Sequence, residues 1–280
     1  MAITNFIPTI WSENLLKQLS EQYIAANHCN RDYDGDIQKL GSVVKICGVG
    51  SVSVDSYTKN TDMSTPQTLS DTVTELIIDQ AKYFNFQIDD IDRAQCTPKL
   101  MDAAMSVAAN SLAKVADKYI FSLCEKASKT LSVSDKDPET LVNTIIKARQ
   151  KLYEQGITDA NDIVVEVSPA VATMILKAKI EMSFDNTDAL EKGYVGNIAG
   201  CKIFVSNNIH TTDGDGSSLT HNCMVRSKRS IAFAEQLSEI EAYRPEKRFA
   251  DAVKGLHLYG ATVIYPDEVV RVDVTVDNEA

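Results

Sequence analysis

Apolar residues recur every three or four positions at Met101, Ala104, Ala108, Leu112, Val115, Tyr119 and Leu123, a spacing that suits one long helix and no strand. Thr97-Pro98 stands just before it, an N-cap residue followed by proline at the first helical position, where a missing N–H costs nothing. The spacing predicts a helix running to about Ala127, about 45 Å long at 1.5 Å of rise per residue. The rest of the chain has to be arranged around that rod.

Upstream, the pattern predicts an arm and a hairpin. Residues 12 to 26 place Leu15, Leu16, Leu19 and Tyr23 on one face of a short amphipathic helix, with Asn27 near its end. From Ser42 to Tyr57 the segment SVVKICGVGSVSVDSY alternates and is β-branched, with Gly48 and Gly50 as punctuation, so it reads as a pair of strands or one bent ribbon. The polar stretch TKNTDMSTPQTLSD has too few apolar groups for a core and is expected to project as the tip of a long hairpin. Thr72 to Ile88 is the returning limb.

Downstream, Asp137-Pro138-Glu139 opens a helix through Leu141, Ile145, Ala148 and Leu152 that Gly156 can end. A strand, DIVVEV, then meets another helix start at Ser168-Pro169. CKIFVS and NCMVRS read as strands, while residues 230 to 243 fit helix and strand equally. Phe249 to Tyr265 and Glu268 to Val276 are strand-rich, with Val270, Val272, Val274 and Val276 on one face and Arg271, Asp273 and Thr275 on the other. No repeat or Pro-rich linker divides the chain, so any subdomains should be interleaved.

Several functions are disfavoured. A hydrophobic share of 44% and a charged share of 24% fit a globular protein that buries a core without disulfides or metals. The formal charge of -11 argues against a main role in gripping nucleic acid, because phosphate binding depends on Lys and Arg displacing counterions. The opening residues lack the basic and apolar blocks of a secretory signal, and no segment approaches the roughly 18 apolar residues of a membrane span. We therefore expect synthesis and residence in the cytoplasm. Six scattered cysteines without a CxxC pair suit reduced, mostly buried thiols.

No motif predicts a catalytic, metal or cofactor site. Gly193, Gly196 and Gly200 lead into a strand, whereas phosphate loops run from strand to glycines to helix, so these are expected to be turn glycines. The acidic group Asp32, Asp34 and Asp36 puts Ile37 where a calcium loop needs glycine, and starting at Asn30 ends it on Gly41 instead of glutamate. A solvated turn is the expectation. His221 and Cys223 share a strand face without an orienting acid, which leaves a small-molecule hydrolase or transferase as a distant alternative.

The order of parts resembles the tailed-bacteriophage major capsid proteins with the Hong Kong 97-type fold, over essentially the whole chain. FIPTIWSENLLKQL resembles their arm, GSVVKI the entry to their extended loop, and GNIAGCKIFVSN a turn into a strand of their axial domain. The segment RPEKRFADAVKGLHLYGATVIYPDEVVRV is similar to their return through the peripheral domain. The resemblance implies an α+β fold with an N-arm (1–40), an extended β-hairpin loop (41–92), a peripheral domain with a long spine helix (93–133 and 230–264) and an axial domain (134–229 and 265–280).

It also implies a structural protein without cofactor or enzymatic activity. Hexamers and pentamers of this chain would form an icosahedral shell, a virion capsid made in the host cytoplasm, around double-stranded DNA bound without sequence specificity. The further partners implied are a portal, a separate scaffolding protein and, as an optional one, a decoration protein; no membrane is involved. An encapsulin-type nanocompartment shell, which shares the fold but encloses a cargo enzyme, is the alternative. Expected contacts between copies are Phe6, Trp11, Leu15 and Leu19 in the arm and Val52, Val54 and Tyr57 in the loop. The basic clusters Arg226, Lys228, Arg229 and Arg244, Lys247, Arg248 are expected to meet a neighbour's carboxylates, with contacts to phosphates in the lumen as the alternative.

Overall fold

Among the described residues, twelve strands divide among three sheets, of two, three and seven strands, and three helices have both ends described. The computed structural model describes residues 15, 17–19, 21–33, 41–49, 71–89, 100–133, 138–178, 194–213, 218–247 and 249–277, with scattered positions between 54 and 68. In chain order the elements are β1 (Val43–Val49), β2 (Asp71–Ile77), β3 (Gln80–Asp89), α1 (Leu100–Ser122), β4 (Lys129–Val133) and α2 (Pro138–Glu154). Then come β5 (Ile163–Val167), α3 (Pro169–Lys177), β6 (Tyr194–Ile198), β7 (Cys201–Val205), β8 (Thr211–Asp213) and β9 (Ser218–Ser227). Two long strands, β10 (Ile231–Tyr243) and β11 (Ala250–Val263), precede β12 (Val269–Asp277).

A seven-stranded mixed sheet takes the order β4-β12-β9-β5-β7-β6, with β8 beside β9. Alternation along each strand sends one set of side chains to the helices: Ile163, Val165 and Val167 of β5, Cys223 and Val225 of β9, and Val270, Val272 and Val274 of β12. They meet Leu141, Val142, Ile145, Ala148 and Leu152, spaced by three and four along α2. Full burial of each such side chain favours folding by about 1.5–3 kcal/mol, so this face needs no metal or disulfide. Ser168 caps α3, its Oγ accepting from the Val171 N–H at 3.4 Å, with Pro169 at the first turn.

Between β6 and β7 the two-residue loop has φ of 51° at Ala199 and 88° at Gly200, the signs a tight primed hairpin turn requires. Gly200 therefore shapes a corner and Gly196 lies within β6, while Gly193 falls outside the described residues.

The second sheet is antiparallel, in the order β10-β11-β3. Residues 231–243, ambiguous in sequence, are a strand because β11 pairs with them along their length, past one irregularity at Leu237/Glu239. The returning limb, Thr72 to Ile88, is strand-like as expected but is made of two strands. It breaks at Ile78–Asp79, with β2 pairing to β1 and β3 to β11. Likewise β4, expected beside α1 in the spine-helix unit, joins the seven-stranded sheet next to β12.

Helix α1 spans 23 residues and continues as a 3-10 turn, Leu123–Lys126. Its most buried stripe is Met105, Ala109, Leu112, Ala113, Ala116, Ile120 and Phe121, rotated from the stripe read in the sequence. The helix is apolar over more than one face, and packing alone selects which part is covered.

Candidate functional site

The hairpin β1–β2 shows two unlike faces. Val44, Ile46, Leu76 and Ile78 pack on Ala232, Ala234 and Leu258 of the three-stranded sheet. At the seat a side chain on Gly260 would put its Cβ 2.2 Å from the Ile77 carbonyl oxygen, so only glycine lets the strand lie this close. The opposite face pairs Val43 with Ile77 and Cys47 with Val73, flanking Lys45 opposite Glu75, and Val43, Val73 and Ile77 stay about half exposed. Val54 is 94% and Tyr57 75% exposed, so neither is covered by a partner surface among the described residues.

A second incomplete surface is the groove of about 920 Å³ between α1 and β3. Ala104, Val107, Ala108 and Val115 form one wall; Tyr83, Phe84 and Phe86 of β3 stand opposite. Val107 is 65% and Tyr83 79% exposed. Ala104, Ala108, Leu112 and Val115 of the stripe read in the sequence thus line this groove. On β3, one edge pairs with β11, and no strand among the described residues pairs with the other. Contiguous exposed apolar surface of this kind is characteristic of interaction sites and of ligand grooves.

The arm leucines and basic residues are distributed differently from the expectation. Leu15 is buried in its own chain with Met105, Ala109 and Val253, and Leu19 in the core against α1, because the helical segment holding residues 17–19 folds back onto that helix. Arg226 is also fully buried. Its Nε donates to Glu166 Oε2 at 2.9 Å and its Nη2 to Oε1 at 2.8 Å, while Nη1 donates to the His28 carbonyl at 2.8 Å and Nη2 to that of Ala25 at 3.1 Å. A guanidinium so placed is used inside the subunit and cannot reach a neighbour's carboxylate.

Arg229 pairs with Glu268 at 2.6 Å and lies over the Tyr265 ring, and Arg244 is 3.4 Å from Asp251. Lys228 is half-buried and Lys247 exposed. Phe6, Trp11, Val52 and Arg248 lie outside the described residues.

Arg226 belongs to a junction that the sequence reading missed. Asp117 of α1 accepts the N–H groups of Ile24 and Ala25 at 3.1 Å each and of Ala26 at 3.3 Å. The His28 ring stacks 4.0 Å from Phe204 of β7. Asn30 bridges to β10, donating to the Ile231 carbonyl at 2.8 Å and accepting from the Phe233 N–H at 2.9 Å. Glu235 of β10 takes hydrogen bonds from Tyr23 and Arg31 and contacts His257 Nε2 at 2.9 Å. The detectable signal was charge inside apolar runs: Asp117 within the α1 stripe, Glu166 in VVEV, Arg226 in MVRS.

Burial controls the electrostatics here. It pushes Asp117 up to about 7 against the pull of the three amides, and with Arg226 and Lys228 nearby it drives His28 down to about 3. Burial alone would raise Glu235, yet His257, Arg31 and Tyr23 hold it below the usual carboxylate range.

Nothing favours a thiol nucleophile, since burial pushes Cys223 up to about 12. Cys29, Cys124, Cys201 and Cys223 are buried free thiols, and among the described residues no group of three His, Cys, Asp or Glu side chains could hold a metal.

Neither a family model nor a curated protein sequence matches the chain. Solved structures do. One from Mycobacterium phage Che8 is 30% identical, covers 97% of this chain and 98% of its own, and superposes with a TM-score of 0.69. The capsid of Ralstonia phage GP4 is 10% identical, with coverage of 94% and 92% and a TM-score of 0.69. A virus-like particle from Pyrococcus furiosus is 12% identical, with coverage of 95% and 99% and a TM-score of 0.59. At such low identity the last two establish the fold alone.

Proposed function

The chain belongs to the Hong Kong 97-type major capsid proteins of tailed bacteriophages, and from that premise we propose that its hairpin and its α1/β3 groove are the surfaces by which one copy grips the next. It is a structural protein of the virion, and its copies assemble into an icosahedral shell. The full-length match to the phage Che8 structure carries this conclusion.

A hairpin whose outer face, with Val54 and Tyr57, finds no cover among the described residues costs conformational entropy that a neighbour's contacts can offset. The groove offers a neighbour apolar walls and a strand edge. Each contact is modest, but interfaces of roughly 1,200–2,000 Å² sum over the several neighbours of a subunit.

In this reading the seven-stranded sheet with α2 and α3 is the axial domain, taking in residues 129–133 as well as 134–229 and 265–280. The three-stranded sheet with α1 is the peripheral domain, and β3 belongs to it rather than to the extended loop. The shell encloses double-stranded DNA, which a net charge of -11 keeps from adsorbing to it. A portal and a separate scaffolding protein complete assembly, and a decoration protein is an optional addition. The likeness to the Pyrococcus furiosus particle motivates a second reading, a shell around protein cargo, which nucleic acid content of purified particles separates from the first.

Electron microscopy of the expressed protein at high concentration is the test. We expect rings of subunits and closed shells, whereas solitary molecules alone would overturn the reading. Uniform shells from this polypeptide by itself would remove the scaffolding protein and leave assembly standing.

A further inference from the structure

The outer face of the β1–β2 hairpin carries a row of charge between two rows of apolar or weakly polar side chains. Register sets Val43 opposite Ile77, Lys45 opposite Glu75 and Cys47 opposite Val73. Val43, Val73 and Ile77 are about half exposed, and Cys47 is an exposed free thiol. Lys45 and Glu75 are exposed too, and among the described residues neither side chain has an ionic or hydrogen-bonded partner, although they stand side by side. The hairpin's other face is already seated on the three-stranded sheet, so this one remains to be covered.

The face is complementary to itself. When a second copy is laid on it about a two-fold axis running along the strands, midway between β1 and β2, Lys45 of each copy stands over Glu75 of the other. The same operation puts Val43 over Ile77 and Cys47 over Val73. A two-fold axis across the strands would instead put Lys45 over Lys45 and Glu75 over Glu75, and like charges facing each other in a contact are unfavourable. The charge pattern thus selects one symmetry. Sheets packed face to face lie about 10 Å apart with strands within about 30° of each other, a gap that Val and Ile fill and that Lys and Glu side chains span.

We propose that the hairpins of two copies meet by these outer faces, strand over strand about a two-fold axis, with reciprocal Lys45–Glu75 bridges between two rows of apolar contact. The self-complementarity stands on the register and the exposure alone; the use of the pairing in a shell rests on the capsid reading, which it deepens by naming what covers the hairpin. A two-stranded hairpin is marginally stable at best by itself, and the second copy gives it another layer to pack on. The patch is small beside a standard interface, so its charges decide which copies sit together more than they add strength.

The test is complementation between chains. Lys45→Glu leaves two carboxylates on the face and Glu75→Lys two ammonium groups, and both positions are exposed, so each variant should fold as the wild type does by circular dichroism. We expect each variant alone to lose at least tenfold in particle yield, and an equal mixture to recover to within about twofold of wild type, in particles holding both chains in equal amounts. The pair within each chain stays broken in the mixture, so the rescue reports a contact between copies. No rescue on mixing, or full yield from either variant alone, would overturn the pairing. A covalent trap reads the same geometry without shells. A chain with Cys47→Ser and Val73→Cys, mixed with wild type and treated with diamide, should give a disulfide from Cys47 of one copy to position 73 of the other, mapped by mass spectrometry of the linked peptides. A wild type that never forms shells sinks the capsid reading and leaves the trap to decide, and absence of that link would overturn the pairing.

Discussion

The junction at residues 23–31 and the surface running from the β1–β2 hairpin to the α1/β3 groove depart from the usual partition of polar and apolar groups in opposite directions. The junction buries Asp117, Glu166 and Arg226 and satisfies them within one chain. The hairpin and groove leave Val54, Tyr57, Tyr83 and Val107 in solvent. A buried charge tolerates few geometries, because each lost partner leaves a costly orphan, so the junction specifies the shape of one subunit. Exposed apolar surface tolerates many geometries, and in the proposed reading another copy completes it, so that one region makes the subunit and the other the shell.

That contrast can be broken most directly by deleting the hairpin tip, Asn60 to Thr68. We expect a folded protein by circular dichroism and no particles by sedimentation; normal particles would place the contacts elsewhere. Val107→Asp in the groove should cut particle yield at least tenfold and shift unfolding by less than about 0.5 kcal/mol. A large loss of stability instead would mean the groove is part of the fold.

Arg226→Met should have the inverse profile. Leaving Glu166 buried and unpaired costs about 3–5 kcal/mol in chemical denaturation, and adding Glu166→Leu should recover most of it. No recovery would show that the pair does more than neutralise itself. Gly260→Ala sharpens the boundary between the regions. Its Cβ would press on the Ile77 carbonyl, so we expect a loss of about 1–3 kcal/mol and faster exchange in β2. Unchanged protection of β2 would refute the close seat.

The smallest effect is one of pH. His28 is held far below its unfolded value near 6.5, so the folded state binds its proton more weakly than the unfolded state does. The stability it contributes is present above pH 6.5 and is lost as pH falls toward about 3. The loss should reach about 1 kcal/mol by pH 5.5 and be absent in His28→Gln. An equal slope in both proteins would assign the acid sensitivity to other groups.

Sequence alone determined what is local. Ser168-Pro169 announces α3, the spacing from Leu141 to Leu152 announces α2, and the glycine at 200 announces a turn, because caps, periodicity and positive φ act within a few residues. The order of those parts was enough to resemble the right family. Only the tertiary structure decided which stripe of α1 is covered, that residues 231–243 are a strand, and that β2 and β3 part company at Ile78–Asp79. It also decided that Arg226 turns inward. Those outcomes depend on partners far away in the chain, Glu166 for Arg226 and Ile24 for Asp117, and a one-dimensional pattern carries no term for groups that meet only after folding.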